Sequence, residues 1–436
     1  MAAVAISLDD LSAYEPEGIS GCIEAEKRSF PDDVVRTVRG IIEDVERRGD
    51  EALIEYTGRF DGVRLSPPEI VLSTDEILDA SRDVGLDAVT ALRCAVDRVR
   101  GFHAHTPVRD SFFIDGLGNR LRQRCTPIPR VGIYIPGGKA SYPSTLVMSA
   151  VPALAAGVEE ISVVSPPASF KTPSALCAAI GEIGSIGNVY RVGGVHGVAA
   201  LALGTETVSP VDKIVGPGNI YVTCAKKELY GRVDIDMVAG PSEVLVIADG
   251  SVDPKLTAAD LLAQAEHDEH ARALCVTWSD RVARSIQEWV ARLVKNSPRR
   301  AIVSEALRQN GRIYLVRNEE CALALANAVA PEHLELHVSE PNAMVQDVRN
   351  AGAVFIGANS AEAFGDYISG PSHVLPTGGT ARFFSVLGVH SFVRYSSCIE
   401  MSKRGVEELG GHARTIARVE GLDAHADSLS FRINGD

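Results

Sequence analysis

The sequence predicts an α/β protein built from two doubly wound, incomplete Rossmann-like lobes, with an N-terminal helical segment and a C-terminal arm. Three observations support this fold class. Apolar strand segments alternate with helical segments at roughly 25-residue spacing across residues 131–248, which is the pattern of parallel sheets. Glycine-rich turns follow two of these strands. The 436-residue chain is too long for one small core, and its 45% hydrophobic content is that of a globular protein.

The part of the chain before this alternation is predicted to be mainly helical. Apolar residues recur at helical spacing through residues 31–97, and Val34, Val38 and Val45 mark one stripe of the first helix. Residues 106–129 are less regular and are expected to hold short strands.

The alternation itself predicts each element of the first sheet in order. The predicted strands are 131–135, 161–164, 189–192, 211–215 and 244–248, and the predicted helices between them are 144–156, 174–183, 195–203 and 220–230. The pattern then continues, which indicates a second α/β lobe. Its predicted elements are a helix at 256–270, a strand at 273–277, a helix at 280–294 and a strand at 312–316.

Four regions are expected from this pattern. They are an N-terminal arm (1–30), one α/β lobe formed by 31–130 together with 243–383, another α/β lobe (131–242) that carries the two glycine-rich turns, and a C-terminal arm (384–436). Apolar residues in the last region are too sparse for a core of its own. It is therefore expected to pack on something else, such as a partner subunit.

The composition argues against several functional classes. A net charge of −14 disfavours nucleic acid or an anionic membrane as the main partner. No apolar run reaches the length that spans a bilayer, and the acidic N-terminus does not resemble a secretory signal. Eight cysteines occur singly without a C-x-x-C pair, so neither a zinc ribbon nor a disulfide scaffold is indicated. The expected location is the cytoplasm.

Two glycine-rich turns are candidate ligand-binding loops. Pro136-Gly137-Gly138 and Gly216-Pro217-Gly218-Asn219 each follow a predicted strand and precede a helix, where free N–H groups can meet a phosphate. Neither is G-x-G-x-x-G, and a tight turn without a ligand explains each about as well. Their position at the carboxyl ends of parallel strands favours a ligand.

The segment LLAQAEHDEH at 261–270 is a candidate metal site. On the expected helix, Gln264 and His267 lie three residues apart and project from one face, where both can reach one divalent cation. The alternative is a solvated acidic helix end, which is the commoner explanation of an isolated Q-x-x-H.

Three further polar sites are candidates. Glu332 and His333 place a carboxylate beside an imidazole that can act as a base, although neighbouring residues of a strand can also face opposite sides. Asp366 lies in a glycine-punctuated loop and could instead cap a helix. Glu420 and His425 lie in the tail, where such residues are usually just exposed.

Several blocks together resemble the histidinol dehydrogenase family over nearly the whole chain. They are VGIYIPGGK at 131–139, VGGV at 192–195, VDKIVGPGNI at 211–220, DMVAGPSEVLVIADG at 236–250, DLLAQAEHDEH at 260–270, APEHLE at 330–335 and GDYISGPSHVLPTGGTARF at 365–383. In the block after 192 the chain carries His196 where the family usually carries glutamine. This departure from the family pattern concerns the cofactor contact at that position.

The resemblance implies one zinc ion per site, NAD as cofactor, and a homodimer whose C-terminal arm is exchanged between subunits. The implied zinc ligands, which also contact substrate, are Gln264, His267, Asp366 and His425, the last from the neighbouring subunit. The implied further substrate contacts are Ser242, His333, His373 and Glu420, and the cofactor contacts are Tyr134, His196 and Asn219.

The resemblance also implies oxidation of L-histidinol to L-histidine through L-histidinal, with two NAD consumed. His333 would take the hydroxyl proton and Glu332 would activate water. Two alternatives stay open. A related enzyme could act on another alcohol, such as sulfopropanediol. A zinc hydrolase could use Glu332 on a metal-bound water, but it would leave the two glycine turns unexplained.

Overall fold

The structure is a computed structural model that describes residues 6–19, 21, 30–137 and 142–434. Fourteen strands lie in these ranges: β1 (Ser7–Asp10), β2 (Ser111–Ile114), β3 (Arg120–Pro127), β4 (Arg130–Tyr134), β5 (Glu160–Val164), β6 (Asn188–Tyr190), β7 (Lys213–Val215), β8 (Asp234–Ile235), β9 (Glu243–Ala248), β10 (Arg272–Thr277), β11 (Arg312–Leu315), β12 (His333–His337), β13 (Ala353–Ile356) and β14 (Val393–Glu400).

Seventeen α-helices lie in the same ranges: α1 (Pro16–Ile19), α2 (Asp32–Arg48), α3 (Asp50–Asp61), α4 (Thr74–Ser81), α5 (Leu86–Ala104), α6 (Pro143–Ala156), α7 (Ala175–Ile183), α8 (Gly194–Leu203), α9 (Ile220–Leu229), α10 (Pro254–Ala265), α11 (Asp280–Leu293), α12 (Arg300–Asn310), α13 (Glu319–Val329), α14 (Pro341–Met344), α15 (Glu362–Tyr367), α16 (Lys403–Val419) and α17 (Asp423–Asn434). Short 3₁₀ helices occupy Pro67–Ile70, Pro167–Phe170, Val294–Asn296, Val345–Asp347, Thr380–Arg382 and Val389–Phe392.

Two parallel sheets confirm the predicted α/β class. One has five strands in the order β6-β5-β4-β7-β8, and the other has six in the order β1-β11-β10-β9-β12-β13. Each carries helices on both faces, so each is doubly wound. Their strands are apolar on both faces because both faces are covered, as in β9, whose six residues are all buried.

The helices before residue 105 pack against the five-stranded sheet. The buried stripe of α2, including Val34, Val38 and Val45, packs in one core with residues of α8 and α9. α5 packs against α6 and α7 on the opposite face. These contacts differ from the expected grouping of 31–130 with 243–383. The apolar stripes of α2 and α5 are buried against the five-stranded sheet and not against the six-stranded one. The division into domains stays a prediction.

A third sheet joins the C-terminal arm to residues 111–127. β14 pairs antiparallel with β3, which pairs with β2, and α16 packs against α17. This sheet and these helices expose large apolar side chains, among them Phe112, Phe113, Ile399 and Val419. None of the helices in the described ranges is both long and apolar enough to cross a membrane.

Candidate active site

The predicted site residues meet where β9 and β12 begin. These neighbouring parallel strands start at Glu243 and His333, and His333 pairs in register with Val244. Ser242, which is partly buried, directly precedes β9, and Glu332 directly precedes β12. The amino ends of two central strands therefore bring three of the predicted residues to one edge of the six-stranded sheet.

A group of possible metal ligands lies at this edge. Ligand-type atoms of His267, Glu362 and Asp366 lie within 4.8 Å of one another, and Nε2 of His267 is 3.9 Å from Oδ2 of Asp366. His373 lies beside them, because its Nδ1 donates to the backbone oxygen of Asp366 at 2.8 Å. The structure thus brings together two of the ligands predicted from sequence, the His267 imidazole and the Asp366 carboxylate.

The helix that precedes His267 is shorter than predicted. α10 ends at Ala265, so the expected helix to residue 270 is wrong in its last turn. The physical reason is local competition: the Asp268 carboxylate accepts from the N–H of His270, and the Asp268 carbonyl accepts from the N–H of Ala271. His267 lies in the turn that follows, with its side chain 42% exposed, rather than on a common helix face with Gln264.

Gln264 has the character of a metal ligand. Its side chain is fully buried, yet neither its amide oxygen nor its amide nitrogen has a hydrogen-bond partner among the described residues. A buried amide without partners is costly and uncommon in folded proteins. A bound cation would give the amide oxygen a partner, so the residues fit a metal with nitrogen and oxygen ligands such as zinc.

Glu332 and His333 are both buried, so the alternative in which one of them is merely solvated is wrong. Oε2 of Glu332 lies 3.8 Å from Nδ1 of His333. The backbone of Glu243 holds both side chains: its N–H donates to Oε2 of Glu332 at 2.9 Å, and its carbonyl accepts from Nδ1 of His333 at 3.1 Å. The Glu243 carboxylate is itself fixed by Arg272 at 2.7 Å and by the N–H of Gly378 at 2.9 Å.

This environment prepares both groups for proton transfer. Burial raises the pKa of Glu332 well above its usual value, and the neighbouring Glu243 and Asp366 carboxylates raise it further. Burial lowers the pKa of His333 to about 4, so its imidazole is neutral near neutral pH. Because Nδ1 of His333 donates to a carbonyl, its proton lies there and Nε2 keeps the lone pair of a base.

Glu420 and His425 lie apart from this cluster. Glu420 directly follows α16, His425 belongs to α17, and both side chains are exposed in the single chain. The group formed by His267, Glu362 and Asp366 contains neither of them. The structure thus brings together the ligand candidates from the sheet edge but not those from the C-terminal arm.

The predicted cofactor residues lie on the five-stranded sheet. β4 is central, with β5 and β6 on one side and β7 and β8 on the other, so the switch point of this doubly wound sheet lies between β4 and β7. Tyr134 ends β4, and the turn that begins at Gly216 follows β7. Gly216 has φ +113°, and a side chain there would collide with the carbonyl oxygen of Tyr134. The turn therefore requires glycine.

Tyr134 and Asn219 differ in how accessible they are. The buried Tyr134 hydroxyl accepts from the N–H of Gly194 at 3.2 Å, and burial raises the pKa of Tyr134 to about 12. Asn219 is exposed, and its side chain caps α9 by accepting from Tyr221 and Val222 at 3.1 Å. Gly138, the last residue of the first predicted turn, lies outside the described residues.

His196 is directed into the core. It is 1% exposed, its Nε2 lies 3.2 Å from the Thr57 hydroxyl, and its ring lies near the rings of Tyr56 and Phe60. These three neighbours belong to α3, which covers α8. A contact between His196 and the cofactor stays a prediction.

Replacing His196 with glutamine is expected to make the protein less sensitive to acid. Burial lowers the pKa of His196 to about 4, whereas in the unfolded chain it titrates near 6.5. Between these values the unfolded chain binds the proton and the folded one does not, so stability falls as pH falls through this window. From pH 7 to pH 4 the variant should lose about 3 kcal/mol less unfolding free energy than the wild type.

Denaturant unfolding at several pH values measures this effect. His270→Gln is the matched control, because His270 is exposed, and its pH profile should match that of the wild type. An unchanged pH profile in the His196 variant would show that this ring is not a buried neutral group.

Glu243 and Glu362 were missed from sequence. Glu362 is 2% exposed, and its Oε2 lies 3.9 Å from Nδ1 of His333. The available signal was its position four residues before Asp366, which places both carboxylates on one face of α15. Glu243 acts largely through its backbone, and a backbone contact leaves no signature in residue type.

A buried Glu–His pair lies beside a cluster of metal-type ligands, and a second parallel sheet carries a glycine turn at its switch point. These features are those of an α/β enzyme. Comparison with known proteins makes this specific. A family model described as histidinol dehydrogenase matches residues 24–433. Histidinol dehydrogenase from Syntrophotalea carbinolica is 46% identical over 414 residues, covering 95% of this chain and 96% of the relative.

Two further relatives agree. Histidinol dehydrogenase from Moorella thermoacetica is 48% identical over 400 residues, covering 92% of this chain and 94% of that protein. The crystal structure of histidinol dehydrogenase from Elizabethkingia anophelis is similar with a TM-score of 0.93 and 34% identity, covering 100% of this chain and 99% of that one. The chain belongs to the histidinol dehydrogenase family, a family of oxidoreductases of histidine biosynthesis. The sulfopropanediol and hydrolase alternatives are not favoured.

Proposed function

We propose that this protein oxidises L-histidinol to L-histidine in two successive two-electron steps, with L-histidinal as the bound intermediate and two NAD as electron acceptors. In the balanced overall reaction, the alcohol, two NAD⁺ and one water give the carboxylate, two NADH and three protons. One observation carries the proposal in a chain of this family. The buried Glu332–His333 pair is held by the backbone of Glu243. It lies beside the possible metal ligands His267, Glu362 and Asp366.

The first step needs a base for the hydroxyl proton. His333 suits this role because burial keeps it neutral and the Glu243 carbonyl fixes its proton on Nδ1. The free Nε2 accepts the proton as the hydride leaves the carbinol carbon. Ser242, His373 and Glu420 are proposed to hold the substrate in this orientation.

The second step needs water activated for attack on the aldehyde. Glu332 suits this role because its raised pKa makes its carboxylate a stronger base than an exposed one. It takes a proton from water as the new C–O bond forms, and the resulting hydrate then gives its second hydride while His333 again accepts a proton. No cysteine is needed as a nucleophile.

The metal is proposed to be one zinc ion per site, held by Gln264, His267 and Asp366 of one chain and by His425 of a second copy. When bound, it would supply a positive charge that fixes the substrate for reaction. The unpartnered Gln264 amide and the proximity of His267 to Asp366 support this ligand set. NAD is proposed to bind at the switch point near Tyr134, Asn219 and His196.

A homodimer with exchanged arms is proposed because His425 and Glu420 are exposed in the single chain, on helices that pack chiefly against each other. Coexpression of His425→Asn with His267→Asn tests the exchange. Each variant alone should be inactive, but the mixed dimer contains one intact site. Random pairing should therefore restore about a quarter of the wild-type activity.

The control pair is His267→Asn with Asp366→Asn. Both changes fall in the same half of the site, so no mixed dimer has an intact site and no activity should return. If His425 and His267 instead served the same site from one chain, the first pair would also stay inactive.

NADH formation with L-histidinol and with sulfopropanediol tests the proposed substrate. The wild-type protein loaded with zinc should reduce NAD with L-histidinol and not with the sulfonate. Turnover of the sulfonate alone would assign the site to the other alcohol.

A further inference from the structure

A second group of buried titratable residues lies behind the active site, on one face of β12. Leu334 and Leu336 face the apolar core that contains α13. His333, Glu335 and His337 alternate with them and therefore face the opposite side. All five residues of this strand are buried. The mechanism uses His333 but leaves Glu335 and His337 without a role.

α10 places a matching polar row over this face. Thr257, Asp260 and Gln264 follow helical spacing and so lie on one side of the helix. The Thr257 hydroxyl lies 2.9 Å from Nδ1 of His337, and Oδ2 of Asp260 lies 3.8 Å from Nε2 of the same ring. The polar row of α10 and the polar row of β12 run in opposite chain directions. The end of α10 that carries Gln264 therefore lies towards the active site.

Glu335 joins three elements of the site. Its Oε1 accepts from the N–H of Glu362 at 2.7 Å, and its carboxyl group lies close to that of Asp260 on α10, with oxygen atoms of the two within 4.8 Å of each other. Glu362 is the first residue of α15, which carries Asp366. One side chain on the strand that begins with His333 therefore contacts both helices that carry proposed zinc ligands.

Asp260 and Glu335 place two carboxyl groups close together beside the buried ring of His337. Oε2 of Glu335 is buried and has no hydrogen-bond partner among the described residues, and it lies 3.6 Å from Nε2 of His337. Burial raises the pKa of both carboxyl groups, which disfavours two negative charges at this position. The further groups that face this pair are His337 at 3.6 Å, Cys275 of β10 and the Glu362 carboxyl.

We propose that Asp260, Glu335 and His337 form a clamp that positions the zinc ligands of α10 and α15 relative to the Glu332–His333 pair. They are positioning residues, because they touch neither the reacting atoms nor the ion. The inference rests on the proposed zinc site. Second-layer contacts of this kind fix the orientation of metal ligands.

The same three side chains have ligand-type atoms within 4.8 Å of one another, so a second cation is the competing occupant of the cluster. The clamp is favoured because Nδ1 of His337 is already engaged by Thr257 and Oε1 of Glu335 by the N–H of Glu362. Metal content separates the two: a clamp predicts one zinc per chain in both the wild type and Glu335→Gln.

Paired substitutions at Glu335 test the clamp. Glutamine can accept from the Glu362 N–H and donate to Asp260, so Glu335→Gln should release zinc to a chelator within about threefold of the wild-type rate. Methionine has a similar volume but makes neither bond, so Glu335→Met should release zinc at least about tenfold faster. Asp260→Ala, at a partly exposed helix position, should also release zinc faster and serves if the methionine variant does not fold.

Leu336→Ala is the matched control, since it disturbs the other face of the same strand. It should lower the melting temperature and leave the zinc release rate unchanged. Wild-type release rates in both Glu335→Met and Asp260→Ala would overturn the clamp while leaving the zinc site intact. Two zinc ions per chain in the wild type and one in Glu335→Gln would assign the cluster to a second cation and overturn the clamp. A wild-type protein that binds no zinc would overturn the proposed metal site and the clamp together.

Discussion

Glu332→Gln is expected to slow the oxidation of L-histidinal about a hundredfold to ten-thousandfold, while the oxidation of L-histidinol to the aldehyde is slowed far less. Only the second half needs a proton taken from water. Glutamine keeps the shape and can still accept from the Glu243 N–H, which holds Glu332 at 2.9 Å. It cannot accept a proton, so the loss reports the chemistry rather than the position.

The two halves can be measured separately by rapid mixing. Supplying L-histidinal with NAD isolates the second half, and single-turnover NADH formation from L-histidinol reports the first. His333→Asn is the matched comparison, because a base used in both steps should slow both. Equal losses in the two halves for Glu332→Gln would contradict its assignment to water activation.

His267→Asn is expected to weaken zinc binding by at least about a hundredfold, since loss of a direct ligand should cost at least as much as loss of a contact behind it. His267 lies in the cluster with Asp366 and Glu362, and no other imidazole in that group can replace it. Metal content after dialysis and competition with a coloured chelator measure the change. Activity with L-histidinol should fall in parallel.

His270→Asn provides the control for this substitution. His270 is exposed in the same turn, and its N–H is bonded to the Asp268 carboxylate through the backbone, so the exchange should leave zinc content unchanged. Full zinc occupancy in the His267 variant would refute its assignment as a ligand.

Much of the fold was predictable because parallel sheets leave a strong periodic signal. The buried strands β4, β5, β7, β9 and β10 were placed within about two residues by their apolar runs and by the helices between them. The end of α10 was not predicted correctly, because the spacing of apolar residues does not reveal the turn that Asp268 forms with His270. The packing partner of α2 was also missed, since a helix stripe shows that a face is buried but not against which sheet.

The site was predictable only where residue type carries the chemistry. Glu332, His333, His267 and Asp366 have side chains that can act as bases or ligands, and the structure brings them to one sheet edge. Glu243 could not be found in this way, because its backbone makes the decisive contacts. The burial of His196 depends on α3, which lies more than a hundred residues earlier in the chain. The proposed roles of Glu420 and His425 depend on a second copy of the chain.

Four-electron oxidation is tested most directly by the ratio of NADH formed to L-histidinol consumed at completion. A ratio of two, with L-histidine as the product, is the predicted result. A ratio of one with L-histidinal accumulating would mean that Glu332 and His333 complete only the first oxidation, and it would contradict the proposed mechanism.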